Sequence, residues 1–366
     1  MKYFETVESE GHEQVTFFYD RASGLKAIVA IHDTTLGPAL GGTRMWPYKS
    51  EDEALTDVLR LSRGMTYKAA AAGLRLGGGK AVIIGDPKKD KSPALFRAFG
   101  KCVNTLGGRY ITAEDVGTSV EDMEYVFEET RYVTGVDIAH GGSGDPSPFT
   151  AYGTLQGIKA SVEHKLGKKE LKGLKVSIQG LGHVGHHLAG YLKKEGAVVF
   201  ATDIDEDRCK RAKEESVVDE IVAPDEIYGL DVDVFAPCAL GAVVNDQTLD
   251  QFRCSIITGA ANNQLATLKH GDILQQKGIL YAPDYVVNAG GLMNVYIELE
   301  GYSEVRARRI CNGIFGNVMT VFKISDRDQV APAIAADRMV EERLETMTRV
   351  APHFNTFPKE KFDRRR

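Results

Sequence analysis

Two lysines stand in sequence surroundings that are unusual for a charged side chain. Lys68 is followed by four alanines at 69–72, and Lys80 comes directly after Gly77–Gly79 and begins an apolar run, AVII. A lysine is rare in such settings unless its ammonium group reaches solvent or is used. Two ordinary surface lysines are the alternative, but three consecutive glycines allow a ligand or another backbone to approach closely. If the two cations face each other, each lowers the pKa of the other, and such a lysine can act as a base near neutral pH.

A second set of residues has the spacing of a dinucleotide-binding motif. An apolar strand pattern at 174–179 is followed by a helix-opening G-x-G-x-x-G segment made of Gly180, Leu181, Gly182, His183, Val184 and Gly185. The next strand pattern, at 197–202, ends in Asp203. Glycines permit the tight turn, a helix N-terminus attracts the pyrophosphate, and the acid binds ribose hydroxyls. A purely structural glycine turn would not require that acid, so the sequence predicts dinucleotide binding.

The residues after Asp203 favour NAD over NADP. Asp203 is followed by Ile204 and Asp205, and no basic residue occurs before Arg208. The 2′-phosphate of NADP would therefore meet carboxylates at this position. NAD is the predicted cofactor.

Composition and charge narrow the remaining classes of function. The 45 basic and 51 acidic residues give a net charge of −6, which argues against a nucleic-acid partner. Five scattered cysteines without a C-x-x-C pair predict neither disulfides nor a cysteine–zinc site, and we expect no metal at His183, His186 and His187. No apolar run approaches the roughly 18 residues of a membrane helix. The acidic N-terminus does not resemble a signal peptide, so we expect a cytoplasmic protein without a membrane partner.

The order of strand and helix patterns predicts an α/β protein of two domains. Strand patterns at 14–20 and 25–32 precede a helix that begins after a capping box at Ser50 and runs to about Ala72. From about residue 150, strands and helices alternate as in a doubly wound, Rossmann-type parallel sheet. We expect an N-terminal α/β substrate and oligomerisation domain over 1–140, joined by a C-terminal helix at about 330–366. The NAD-binding domain should span 141–329, with the active site in the cleft between the domains.

Several runs of the sequence together resemble one enzyme family. They are LGPALGGTR (36–44), GMTYKAAAAGLRLGGGKAVI (64–83), AEDVGT (113–118), GGSGDPSPFTAYG (141–153) and APDYVVNAGG (282–291). These runs are similar, in the same order and over almost the whole chain, to those of the glutamate/leucine/phenylalanine/valine dehydrogenase superfamily. The resemblance implies oxidative deamination of L-amino acids to 2-oxo acids and ammonia.

The resemblance also implies residue roles at matching positions. It implies that Lys80 and Asp115 are catalytic and that Lys68 binds the substrate carboxylate, although Asp115 could instead cap a helix beginning near Ser119. It further implies that Gly41 and Gly42 line the substrate pocket, that Thr150 and Asn262 contact the cofactor, and that Asn288 helps to close the site.

The positions that match the substrate pocket are apolar in this sequence. They are Leu40, Ala113, Leu292 and Val295. An aliphatic side chain suits them, which predicts NAD-dependent oxidative deamination of branched-chain L-amino acids. The rank of leucine, valine and isoleucine stays open, because one methylene changes discrimination by only about 1–3 kcal/mol. Phenylalanine turnover and a catalytically silent NAD-binding regulator are the alternatives. The resemblance implies a homo-oligomer, plausibly an octamer.

Overall fold

The computed structural model describes residues 3–350, which divide into two units. The first unit contains residues 3–144, 295–304 and 342–350, and the second contains residues 145–294 and 305–341. Among the helices of residues 3–350, none is both long and apolar enough to cross a membrane.

The first unit, up to residue 144, is a mixed sheet with helices on both faces. Its elements are α1 (Tyr3–Glu10), β1 (Gln14–Asp20), β2 (Leu25–Asp33), β3 (Ala39–Leu40), β4 (Thr43–Trp46), α2 (Glu51–Ala71), β5 (Gly77–Ile84), α3 (Pro93–Thr105), β6 (Tyr110–Ile111), α4 (Val120–Phe127) and a 3₁₀ turn (Ile138–His140). The predicted start of α2 is confirmed, since the Ser50 side chain accepts a hydrogen bond from the Glu53 N–H. The return half of the box differs, because the Glu53 carboxylate accepts from the Lys49 N–H.

Strand β5 is the centre of this sheet. Antiparallel β2 pairs with one edge of β5, and the parallel strands β3 and β4 share its other edge. Strand β3 pairs with Gly77–Gly78 and β4 with Ala81–Ile84, so the pairing changes partner at residues 79 and 80. Alternate side chains of β2 and β5 pack against α2 on one face and against α3 and α4 on the other. Two helical layers therefore fix the position of β5.

The second unit is built around a parallel sheet. The elements that begin after residue 144 are α5 (Ser147–Leu166), β7 (Lys175–Gln179), α6 (His183–Lys194), β8 (Val198–Thr202), α7 (Glu206–Glu214), β9 (Glu220–Ile221), a 3₁₀ turn (Ile227–Gly229), β10 (Val234–Pro237), β11 (Ile256–Ile257), α8 (Leu268–Gln276), β12 (Leu280–Tyr281), α9 (Asp284–Val287), α10 (Gly290–Glu298), α11 (Glu304–Cys311), α12 (Gly313–Asp328) and α13 (Pro332–Val350). The strand order is β12-β11-β10-β7-β8-β9, with every pair parallel. This is the doubly wound order of a Rossmann sheet, as predicted, and its direction of winding changes between β7 and β10.

Apart from a shift of four residues at 141–144, the bounds of the units differ from the expected domains in two places. Residues 295–304 belong to the first unit, where the buried Glu298 carboxylate accepts hydrogen bonds from the N–H groups of Gly135 and Ser143. Helix α13 is divided at residue 341, and its first half belongs to the second unit. A hydrogen bond from the Tyr285 hydroxyl to Asp337 ties that half there. Both exceptions arise from contacts between residues far apart in the sequence.

Candidate active site

Gly78 and Gly79 allow helix α2 and strand β6 to approach β5 closely. A Cβ on Gly78 would lie 2.0 Å from the backbone nitrogen of Thr66 in α2. A Cβ on Gly79 would lie 2.7 Å from the ring of Tyr110. The glycines before Lys80 thus accommodate the protein's own backbone and side chains, which is one of the two uses that the sequence left open.

Lys80 is a buried lysine in contact with an acid. Its side chain is 6% exposed, and its Nζ lies 3.0 Å from Oδ1 of Asp115. Burial lowers the pKa of Lys80 below its usual value, and this effect outweighs the attraction of Asp115, which acts in the opposite direction. The cation that also lowers the pKa is Arg44. The sequence had suggested that the cation of Lys68 lowers the pKa of Lys80, whereas the structure gives burial as the main cause of this shift. A neutral amine is therefore accessible to Lys80 nearer physiological pH.

Asp115 is an ionised carboxylate held by two cations. Burial alone would raise the pKa of Asp115, but Lys80 and Arg44 outweigh it and hold this pKa below its usual value. The possible role of Asp115 as a helix cap is excluded, because Ser119 caps α4 and forms a reciprocal capping box with Asp122. Asp115 is consequently available for chemistry.

The turn at Gly41 and Gly42 lies against the same pair. A Cβ on Gly42 would lie 2.9 Å from the Cβ of Asp115, and one on Gly41 would lie 1.8 Å from the carbonyl oxygen of Gly79. The Gly41 carbonyl accepts a hydrogen bond from the buried Tyr110 hydroxyl at 2.6 Å. Leu40 and Ala113, next to these groups in the chain, are both buried. The structure therefore brings these predicted substrate-binding residues to the Lys80–Asp115 pair.

Lys68 lies in the last turn of α2 and is half-buried. The same helix contacts Gly78 through Thr66, two residues earlier. Its position in the chain thus places Lys68 just beyond the close contact between α2 and β5.

Arg44 is a residue of this cluster that the sequence analysis did not single out. Its Nε donates to Oδ2 of Asp115 at 3.0 Å, and its Nη1 donates to Oδ2 of Asp57 at 2.9 Å. Arg44 ends the run LGPALGGTR, but no local periodicity connects it with residues 13 and 71 positions away. The backbone hydrogen bonds of β4 to Ala113 and Val116 bring Arg44 to Asp115.

In the second unit, the glycine motif has the geometry of a nucleotide-binding turn. Gly180 has φ +100°, and a Cβ on Gly185 would lie 1.9 Å from the carbonyl oxygen of Gly180. At Gly182 the nearest group to an added Cβ is Arg208 Nη1, at 3.9 Å. The first glycine thus makes the turn, the third permits close packing, and the second leaves room for a ligand. Leu181 is buried, Val184 is half-buried, and His183, the first residue of α6, is exposed.

Asp203 follows β8, beside this turn. Its carboxylate accepts hydrogen bonds from the N–H groups of Leu181 at 2.7 Å and Asp205 at 2.9 Å. Arg208 on α7 is the first basic residue after Asp203 in the sequence, and its side chain folds back to 3.6 Å from Asp203 and 3.3 Å from Asp205. One turn of helix separates Arg208 from Asp205, which brings the guanidinium back to the end of β8. The two carboxylates still outnumber the single guanidinium.

Two further contacts involve the predicted cofactor residues Asn262 and Thr150. The Asn288 amide donates to Asn262 Oδ1 at 2.8 Å, and a Cβ on Gly291 would lie 2.6 Å from Thr150 Oγ1. Leu292 is buried and Val295 half-buried on α10; the first belongs to the second unit and the other to the first.

Two of the three histidines of α6 have carboxylate partners. His186 Nε2 lies 2.8 Å from Glu215, and His183 Nδ1 lies 3.7 Å from Asp145. Over the described part of the chain, no group of three or more His, Cys, Asp or Glu side chains is placed to hold a metal ion.

Two family models cover most of the chain. The model described as Glu/Leu/Phe/Val dehydrogenase, dimerisation domain, matches residues 12–132. The model described as Glutamate/Leucine/Phenylalanine/Valine dehydrogenase matches residues 141–308.

Relatives of the same kind match over nearly their full length. Leucine dehydrogenase of Geobacillus stearothermophilus is 55% identical over 97% of this chain and 96% of its own. Phenylalanine dehydrogenase of Caldalkalibacillus thermarum strain TA2.A1 is 48% identical over 94% of each chain. A solved structure of L-tryptophan dehydrogenase from Nostoc punctiforme is 46% identical, has a TM-score of 0.86, and covers 94% of this chain and 99% of its own. The chain thus belongs to the glutamate/leucine/phenylalanine/valine dehydrogenase family and is an amino acid dehydrogenase.

Proposed function

We propose that this chain catalyses the reversible, NAD-dependent oxidative deamination of branched-chain L-amino acids (leucine, valine and isoleucine) to 2-oxo acids and ammonia. The observation that carries the proposal is the buried Lys80–Asp115 pair, with 3.0 Å between Nζ and Oδ1. It offers an amine of lowered pKa and an ionised carboxylate side by side. The leucine dehydrogenases among the relatives are more similar to this chain than the phenylalanine dehydrogenases, which supports an aliphatic substrate.

The residues of the second unit fit a dinucleotide. Open space at Gly182 and the N-terminus of α6 suit a pyrophosphate, and the Asp203 carboxylate suits ribose hydroxyls. Among the described residues, the buried Asn288 Oδ1 has no hydrogen-bond partner, so it can accept one from a ligand. The chemistry that the bound cofactor would supply is the acceptance of a hydride from the substrate Cα.

The remaining steps require proton transfers that Lys80 and Asp115 can perform. Loss of hydride from Cα leaves an iminium, whose carbon water must attack. Neutral Lys80 would take the proton of that water and later return it to the departing amine as the carbinolamine collapses to oxo acid and ammonia. Asp115 would carry protons to and from the substrate amino group. One lysine can serve both steps because each returns it to the form that the other needs.

The experiment that tests the function is a substrate panel with NADH absorbance as the readout. We expect leucine, valine and isoleucine all to be oxidised, with kcat/KM for the best of them at least about tenfold above that for phenylalanine, because the pocket positions are aliphatic. We expect NAD to be used far more efficiently than NADP, because carboxylates outnumber the base near the ribose site. Preferred oxidation of phenylalanine would contradict the assignment of branched-chain substrates. Equal catalytic efficiencies with NAD and NADP would contradict the cofactor assignment.

Lys68 is proposed to bind the substrate carboxylate. Lys68→Ala should raise KM for the amino acid by about 10- to 100-fold, because a hydrogen bond to a charged group contributes about 1.5–3 kcal/mol. KM for NAD should stay near the wild-type value. The exposed Lys101 of α3 provides a matched control, Lys101→Ala. An unaltered KM for the amino acid in Lys68→Ala would place Lys68 outside the site.

We further propose a cytoplasmic homo-oligomer, plausibly an octamer. The edge strand β1 exposes Phe17 and Tyr19, which are 60% and 68% accessible, and such an apolar edge needs cover. The five cysteines are all free, which supports a reducing compartment. Sedimentation at micromolar concentration should show an oligomer, and a monomer would contradict this proposal.

A further inference from the structure

Arg44 is fixed by backbone hydrogen bonds to both segments that carry the reacting pair. In β4, the Thr43 N–H donates to the carbonyl of Ala113 at 2.8 Å, and the Met45 N–H donates to that of Val116 at 2.9 Å. On its other side, β4 pairs with β5, with Arg44 opposite Val82. The Arg44 Cα is therefore held between the segment that carries Asp115 and the strand that carries Lys80.

The two oxygens of Asp115 have different partners. Oδ1 lies 3.0 Å from Lys80 Nζ, and Oδ2 accepts from Arg44 Nε at 3.0 Å. A carboxylate bound at one oxygen only can rotate about its side-chain torsion. With Arg44 on the second oxygen, the first stays directed at the lysine.

The guanidinium of Arg44 is itself held from α2. Asp57 Oδ2 accepts from Arg44 Nη1 at 2.9 Å and from the Tyr48 hydroxyl at 2.7 Å. Asp57 Oδ1 accepts from Arg60 at 3.0 Å, whose side chain is largely exposed. The planar guanidinium presents Nε and Nη1 to two carboxylates in fixed directions, whereas a lysine offers only one freely rotating nitrogen.

We propose that Arg44, braced by Asp57, is a positioning residue that keeps one oxygen of the Asp115 carboxylate on Lys80 during the reaction. This inference rests on the proposed function, because it assigns a purpose to the orientation of a pair that the reaction uses. Arg44 acts through Asp115 and needs no contact with substrate.

The charges around Lys80 make its titration a second measurable consequence of the proposal. The charged and titratable groups that face the pair are Arg44 and Tyr48 from β4 and the residues after it, Asp57 from α2, and Tyr110 from β6, and Lys68, proposed to bind the substrate carboxylate, lies in the last turn of α2. Arg44 lowers the pKa of both Lys80 and Asp115. Removing its charge should therefore move the titration of Lys80 to higher pH.

The test compares Arg44→Gln, Arg44→Lys and Asp57→Asn with Arg60→Gln as the matched control, because Arg60 contacts Asp57 but not Asp115. Arg44→Gln should lower kcat about 10- to 100-fold, as expected for the loss of a charge-assisted hydrogen bond, with little change in KM for NAD. The limb of its pH profile along which kcat rises with pH should move to higher pH. Arg44→Lys should return that limb toward the wild-type position but recover kcat only in part. Arg60→Gln should behave like wild type.

Kinetics within twofold of wild type in Arg44→Gln, or an equal loss in Arg60→Gln, would overturn the proposal. If Arg44→Gln does not fold, Asp57→Asn decides, because it keeps the guanidinium of Arg44 and removes the negative charge that holds it; an unchanged kcat there overturns the proposal. A second measurement does not depend on catalytic activity. The extent of Lys80 acylation by acetic anhydride, measured by mass spectrometry over a range of pH, gives the midpoint of its titration. An unchanged midpoint in Arg44→Gln would overturn the inference, whereas failure of the wild type to oxidise any amino acid would overturn only the proposed function.

Discussion

Lys80→Ala is expected to lower kcat for amino acid oxidation by about 10²–10⁴-fold, the usual contribution of general acid–base catalysis. The reason is that water attack on the iminium and the departure of ammonia both require a proton transfer, and Lys80 is the buried amine of lowered pKa at the site. NADH binding should remain near the wild-type value, because Lys80 belongs to the first unit and the glycine motif to the second. Steady-state kinetics and NADH titration measure the two quantities.

An exposed lysine in the same sheet provides the control for Lys80→Ala. Lys26 lies on β2, which pairs with β5, and Lys26→Ala should keep wild-type kcat. If Lys80→Ala retained more than about a tenth of the wild-type kcat, against the expected 10²–10⁴-fold loss, the base would have to be sought at Asp115 instead.

Acidification is expected to destabilise the first unit through a buried pair of histidines. The rings of His12 and His32 lie 4.9 Å apart beneath α2, where His12 contacts Ser62 and His32 contacts Thr66. Burial, followed by the neighbouring His12, lowers the pKa of His32 from 6.5 to about 4. Burial likewise lowers the pKa of His12. Both rings are therefore neutral in the folded protein at pH 7.

The direction of this effect follows from proton linkage. Above pH 6.5 neither the folded nor the unfolded state protonates His32, so its contribution to stability is complete. As the pH falls from 6.5 to about 4, the unfolded state takes up the proton first, and stability is lost. At 1.36 kcal/mol per pKa unit, the shift corresponds to about 3 kcal/mol.

Urea unfolding at pH 7 and pH 4.5, at one fixed protein concentration, measures this loss. His32→Gln should reduce the dependence of the unfolding free energy on pH, even if it lowers stability at pH 7. The exposed His183 serves as control, and His183→Gln should keep the wild-type dependence. A His32→Gln variant with the same loss between the two pH values as wild type would show that His32 is not the group responsible.

The parts of this protein that the sequence predicted are those encoded by local spacing. The glycine motif, the strand before it and Asp203 lie within 30 residues, and each occupies the position that its spacing requires. The cap at Ser50 is similarly local, because a cap depends only on the residues that follow it.

The parts that the sequence did not predict depend on tertiary pairing. Strands β3 and β9 have two residues each, too few for an alternating pattern. The contact of Arg44 with Asp115 exists because β4 lies between β5 and residues 113–116, which are distant in the chain. The roles of Lys80 and Asp115 came from resemblance. Burial, which accounts for the lowered pKa of Lys80, could be read only from the packed structure.

The pH dependence of kcat for the best substrate of the panel, in wild type and in Lys80→Ala, tests the central claim most directly. Wild-type kcat should rise with pH along a limb whose midpoint lies well below the free-lysine pKa of about 10.4, because burial lowers the pKa of Lys80. That limb should be absent from the residual activity of Lys80→Ala. A limb of the same midpoint in both proteins would contradict the assignment of Lys80 as the acid–base group.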